Sequence, residues 1–214
     1  MNFTQAREQM VDEQLVARGI SDARVLAAMR AIPRHQFVDP AHQLRAYDDT
    51  PLPIDAAQTI SQPYMVALMT AVLELRGTER VLEVGTGSGY QAAVLAELAG
   101  EVFSVERIAA LSARAQRCVD MLSTAGRIHL RVGDGNQGWP ERAPFDAIII
   151  TAAVQQLPRP LIQQLCAGGA LVLPLGDADV QGLARIRKST AGLQVDYFGE
   201  CRFVKLIGEY GWEG

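Results

Sequence analysis

The chain has 214 residues, 49% hydrophobic and 21% charged, enough to bury a full core without disulfides or metal. Its formal charge of −4 and its lack of basic tracts suit a phosphate backbone poorly, so no nucleic-acid partner is expected. Cys118, Cys166 and Cys201 form no C-x-x-C pair and His35, His42 and His129 are isolated, which argues against a disulfide framework or metal site and fits a cytoplasmic setting.

The segment from Met1 to Ile20 carries Glu8, Asp12 and Glu13 and does not read as a signal peptide. Val11 and Leu15 share a face of a first helix that stops near Gly19, and Asp22 caps a second helix ending before Pro33. From Pro33 to Gln62 periodicity is weak and four prolines intervene, a long connection of the kind that usually serves function. Pro63 opens a third helix with Val66, Met69, Val72 and Leu73 on one face.

Strands and helices then alternate. Strands are expected over 81–84, 102–105, 128–132, 146–151 and 171–173, and helices over 91–98, 108–122 and 158–166, the last stopping at Gly168-Gly169. The run near 147–154 is apolar enough for a strand buried on both faces and too short for a bilayer, so no membrane partner is expected. Segments 183–187, 193–198 and 203–207 follow without long helices, as antiparallel strands would. The expected fold is α/β: a mostly parallel sheet with antiparallel C-terminal strands and an N-terminal helical extension. Residues 1–75 would be helices and a loop packed on a core of residues 76–214.

The sharpest motif is Glu83-Val84-Gly85-Thr86-Gly87-Ser88-Gly89, where a strand runs into a helix. Its spacing is G-x-G-x-G rather than the dinucleotide G-x-G-x-x-G, and Glu83 would sit badly beside a pyrophosphate. A zwitterionic amino-acid tail tolerates that carboxylate, which points to S-adenosylmethionine and a Rossmann-like methyltransferase fold. Glu106, 21 residues after Gly85, can accept both hydroxyls of a ribose, and Asp134 in Gly133-Asp134-Gly135 can hold an adenine amine. Taken singly, these are a glycine turn, an acid at a helix start and a turn aspartate. Taken together, they stand at successive strand ends on one edge of a parallel sheet and form one crevice. Nucleobase amino-methyltransferases often carry Asn or Asp followed by Pro-Pro and an aromatic after the fourth strand. Here the residues are Ile150-Thr151-Ala152-Ala153.

Beyond that crevice, the chain resembles the protein-L-isoaspartate O-methyltransferases over nearly its whole length. The resemblance rests on Arg18-Gly19-Ile20, Ile32-Pro33-Arg34-His35, Gln58-Thr59-Ile60-Ser61-Gln62-Pro63-Tyr64, residues 81–91, Gly133-Asp134-Gly135 and Ala143-Pro144-Phe145-Asp146-Ala147-Ile148. It implies repair methylation of L-isoaspartyl carboxylates in damaged proteins or peptides, by a monomer or weak homo-oligomer. It places the active-site serine on Ser61. It places cofactor contacts on Gln58, Thr59, Ile60, Glu83, Gly85, Thr86, Gly87, Gly89, Glu106, Arg107, Asp134, Gly135 and Thr151. Without the resemblance, Ser61 reads as a cap for the helix opened by Pro63.

Two departures stand out. The family's Pro-Ile-Gly-x-Gly-Gln-Thr is Pro53-Ile54-Asp55-Ala56-Ala57-Gln58-Thr59 here, and its Phe-Val-Pro-Leu is Phe203-Val204-Lys205-Leu206. Lys205 is expected to offset Asp55 across the site. The tail Glu209-Tyr210-Gly211-Trp212 either closes over the cofactor or is a terminus with one anchoring aromatic. Alternatives are a methyltransferase of the same fold acting on another carboxylate, a nicotinamide oxidoreductase, or a cofactor-binding homologue without catalysis.

Overall fold

The computed structural model describes residues 2–213; Met1 and Gly214, which end the two ranges expected above, lie outside the described residues. Asn2 caps α1 (Phe3–Gln9), accepting from the Thr4 and Gln5 amides. The winding then loosens into a π turn over Met10–Leu15 and tightens into a 3-10 turn over Val16–Arg18, stopping at left-handed Gly19. Asp22 caps α2 (Ala23–Ala31) through the Arg24 and Val25 amides, as its position predicts. His35 stacks on Phe3 at 4.1 Å and bonds the Tyr47 hydroxyl. Met10, Val11, Leu15, Met29, Phe37 and Tyr47 pack in one cluster with Tyr90, Ala93 and Val94, so the N-terminal third is fastened to the helix that follows the glycine loop.

A two-stranded hairpin, β1 (Leu52–Pro53) and β2 (Thr59–Ile60), precedes α3 (Pro63–Ala71). The central sheet comprises β3 (Arg80–Val84), β4 (Glu101–Glu106), β5 (Ile128–Val132), β6 (Phe145–Ile150), β7 (Leu165–Gly176), β8 (Gln181–Ser189) and β9 (Gly192–Cys201). Its order is β5-β4-β3-β6-β7-β8-β9; the first five are parallel and the last two antiparallel to their neighbours. Helices α4 (Tyr90–Ala96), α5 (Ala109–Val119) and α6 (Arg159–Gln164) connect the parallel strands. Strand order reverses between β3 and β6, where an open α/β sheet leaves a crevice at its carboxyl edge.

Two expectations are corrected. Gly168-Gly169 does not stop a helix: α6 ends at Gln164 and β7 begins at Leu165. A Cβ on Gly169 would lie 2.8 Å from the Asp146 carbonyl, so the glycines let a bulged strand press against β6. Residues 203–207 add no strand to the sheet edge. Val204 and Lys205 instead run parallel to Ala153: the Ala153 amide donates to the Val204 carbonyl, and the Leu206 amide to the Ala153 carbonyl, each at 2.8 Å. The chain thus turns back over the carboxyl ends of the strands. Among the described residues, no helix is long and apolar enough to cross a membrane.

Candidate active site

The glycine loop is held open by backbone bonds from both neighbouring strands. The Gly85 amide donates to the Val105 carbonyl, and the Thr151 amide to that of Val84, each at 2.9 Å. The Thr151 hydroxyl donates to the Gly85 carbonyl at 2.6 Å. Gly85 and Gly87 adopt φ of 98° and 53°, and a Cβ on Gly85 would lie 2.5 Å from the Thr151 hydroxyl.

Beside this loop lies an open cleft. Gln58, Thr59, Gly85, Gly87, Glu106, Arg107, Gly135 and Thr151, all singled out from the sequence, line it. Apart from Lys205, the remaining wall is apolar: Val84, Val105, Ala152, Val204, Leu206 and Ile207. Glu106 is nearly buried, and its two oxygens accept the Gly87 and Ile108 amides at 2.9 Å each. Every carboxylate oxygen keeps a further lone pair, so Glu106 can still accept hydroxyls from the cleft.

Other expected residues stand behind the wall. Glu83 does not line the cleft. It is fully buried beneath the loop, where Ser104 donates to its Oε2 and in turn bonds the Thr86 hydroxyl. Its Oε1 finds no partner, and burial pushes the carboxyl up to about 8, so it is largely protonated at neutral pH. Gly89 sits at the start of α4, where a Cβ would come within 3.1 Å of Ala115. Asp134 is exposed and accepts both the backbone and side-chain amides of Asn136, while Gly135 reaches the cleft.

Ser61 faces two smaller cavities that adjoin the cleft. One is lined by Thr59, Ile60, Ser61, Thr86, Tyr90 and Gln91 among others, the second by Thr59, Ser61, Gln62, Thr151, Phe203 and Val204 among others. The helix does not use Ser61 as its cap. Gln62 holds the N-cap position without a side-chain bond, and the Tyr64 amide donates to Asp49 at 3.1 Å.

The pairing of Asp55 with Lys205 is not found. Arg114 takes Asp55 at 2.9 Å and pairs with Asp39 as well, while Lys205 lies over the Trp212 ring at 5.7 Å. Arg114 comes from α5, a distance in sequence that no local pattern signals. Ala56 and Ala57 take φ of 58° and 55° at the hairpin tip, a left-handed conformation that carries a cost for a residue with a Cβ. Sequence reasoning also missed Asn136. It is fully buried, donates to the Ile207 carbonyl at 2.9 Å and accepts from the Tyr210 amide at 3.3 Å, anchoring the C-terminal segment beside the cleft. The tail folds back through a Trp212 amide bond to the Leu206 carbonyl, and Trp212 lines a neighbouring groove with Lys205.

A seven-stranded sheet of this order with a G-x-G-x-G crevice at its switch point defines the class: a Rossmann-like methyltransferase fold. The chain belongs to the protein-L-isoaspartate(D-aspartate) O-methyltransferase family, whose model matches residues 5–211. It is 54% identical over 214 residues to protein-L-isoaspartate O-methyltransferase 1 of Syntrophobacter fumaroxidans, covering 100% of both chains. It is 53% identical over 208 residues to the protein-L-isoaspartate O-methyltransferase of Methanoculleus marisnigri, covering 97% of this chain and 94% of that one. Among solved structures, a protein-L-isoaspartate O-methyltransferase superposes with a TM-score of 0.84 at 31% identity, covering 96% of this chain and 67% of the other. The fold is also shared with a putative Plasmodium falciparum enzyme of that name, solved in complex with S-adenosyl-L-homocysteine (TM-score 0.82, 24% identity, 94% and 98% covered).

Proposed function

We propose that this chain transfers the methyl group of S-adenosylmethionine to the free carboxylate of L-isoaspartyl residues in damaged proteins and peptides. One observation carries the reading at the level of the site. The glycine-loop cleft and the cavity bearing Ser61 share Thr59, Gly85, Gly87 and Thr151 as common wall, so a ligand in each would meet at that partition. The cleft suits an adenosyl group: a carboxylate with free lone pairs at Glu106 for the ribose, a glycine at 135 for close approach, and apolar Val105, Ala152 and Leu206 against a base.

When bound, S-adenosylmethionine supplies an electrophilic methyl group. The chain's own residues then have positioning to do. An isoaspartyl carboxylate has an ordinary pKa near ~4 and is already ionised at neutral pH, so no side chain must remove a proton from it. Ser61, its hydroxyl free of capping duty, donates to one carboxylate oxygen and aims the other at the partition. Phe203 and Val204 line the second serine cavity and give it apolar surface that limits water beside the reacting oxygen. Glu106, Arg107, Gly135 and the loop at Gln58–Ile60 hold the cofactor side, with Thr86, Gly89, Glu83 and Asp134 supporting the loops from behind.

In this reading residues 76–214 carry the cofactor core, and residues 1–75 supply the substrate loop and its support. The enzyme would work in the cytoplasm on isoaspartyl proteins, as a monomer or weak homo-oligomer and without nucleic acid. The test is incubation with methyl-labelled cofactor and a pair of peptides that differ only in an isoaspartyl or aspartyl linkage. Label is expected in the isoaspartyl peptide as a base-labile ester. Equal labelling of both peptides, or of neither, would remove the substrate assignment.

A further inference from the structure

The first turn of α3, which places Ser61, has no cap of its own. Gln62 offers no side-chain cap bond, and Pro63 has no amide hydrogen to anchor. The missing partner comes from the long connection. Asp49 Oδ1 accepts the Tyr64 amide at 3.1 Å, and Oδ2 accepts Gln62 Nε2 at 3.3 Å. The same carboxylate pairs with the Arg18 guanidinium, which lies 3.5 Å above the centre of the Tyr64 ring. Arg18 in turn closes the N-terminal helical stretch just before left-handed Gly19. Three distant segments therefore meet on one carboxylate, and two of its partners lie within three residues of Ser61. Neither Asp49 nor Arg18 lines the cleft or the serine cavities. Any effect they have on the reaction must pass through the placement of residues 61–64.

We propose that Asp49 is a positioning residue for Ser61: held by Arg18, it fixes the start of α3 and so the direction in which the serine hydroxyl enters its cavity. The inference rests on the role given to Ser61 above. It also gives the N-terminal extension a task in the reaction, because Arg18 restrains the carboxylate that restrains the serine.

The test compares wild type with Asp49→Ala, Asp49→Asn and Arg18→Ala by methyl-transfer kinetics, by calorimetry with S-adenosylhomocysteine and by amide hydrogen exchange. Asp49→Ala is expected to lower kcat about 10- to 100-fold, the scale of a small misplacement of a reacting group. Affinity for S-adenosylhomocysteine should stay within about threefold of wild type, and amides in the first turn of α3 should exchange faster. Asp49→Asn keeps an acceptor for the Tyr64 amide and should restore part of the rate; Arg18→Ala should fall between. Should the alanine variant fail to fold, Asp49→Asn and Arg18→Ala carry the same readouts. Unchanged kcat and exchange would overturn the proposal, as would a rate loss matched by equal loss of cofactor affinity, which signals general loosening. A wild type that methylates neither peptide would sink the function reading instead, and the exchange rates alone would then decide whether Asp49 positions Ser61.

Discussion

The wall formed by β3, β4 and β6 and the wall formed by residues 49–64 and 203–212 face the same cleft, yet they are held by different means. The first is built from strand ends. Gly85, Glu106 and Thr151 stand where three adjacent parallel strands stop, and backbone bonds to Val84 and Val105 set their spacing. The second has only a two-residue hairpin and the backbone bonds of Val204 and Leu206 with Ala153, and it depends further on polar side-chain clips between separate segments: Asp49 to Tyr64, Arg114 to Asp39 and Asp55, Asn136 to Ile207 and Tyr210. A wall anchored in a buried sheet tolerates the loss of one side chain's packing but suffers when a ligand contact goes. A wall held by clips shifts as a unit when one clip is cut.

The largest effect is expected on the sheet-anchored wall. Glu106→Ala removes the carboxylate proposed to accept the ribose hydroxyls and leaves the Gly87 and Ile108 amides unpaired; affinity for S-adenosylhomocysteine should fall by about 100-fold or more in calorimetry. A loss under about threefold would mean that this wall does not hold the nucleoside. On the clipped wall, Ser61→Ala should cut kcat roughly 10- to 100-fold, with melting temperature and cofactor affinity unchanged because the helix does not rely on Ser61 for its cap. A variant that instead loses stability with normal turnover would return Ser61 to a capping role.

Glu83 gives the next effect, in stability rather than turnover. The folded chain holds this carboxyl protonated up to about 8, whereas the reference value is 4.5. Between those values the native state binds more protons than the unfolded one, so Glu83 costs stability as pH rises through that window. Glu83→Gln should remove this contribution. Its melting temperature should match wild type near pH 4.5 and exceed it by a margin that widens with pH, to on the order of 10 °C at pH 8. A gap that does not grow with pH would show that Glu83 is ionised in the fold. The smallest effect belongs to the hairpin tip. Ala57→Gly relieves a left-handed alanine and should stabilise the chain by about 0.5–1 kcal/mol, read from denaturant midpoints.

The same contrast explains what could be read from the sequence. The parallel strands, their order of appearance and the Gly85–Gly89 loop announce themselves through local periodicity and glycine spacing, and Glu106 follows at the next strand end. The clips do not. Arg114 and Asp55 are 59 residues apart and Asn136 and Ile207 are 71 apart, so no window along the chain contains both partners. Residues 203–207 have the alternation of an edge strand but pair with Ala153 rather than with β9, and only the three-dimensional path brings Val204 and Leu206 to the cleft. Glu83 was legible as an acid beside the glycines. That it lies beneath them, facing Ser104, follows from which side of β3 it occupies against β4.

The most direct measurement of the central claim is a pair of calorimetric titrations of the intact chain, one with S-adenosylhomocysteine and one with NAD. Saturable heat with the first and none with the second is the result predicted for a G-x-G-x-G crevice facing Glu106. Heat with NAD and none with S-adenosylhomocysteine would contradict it.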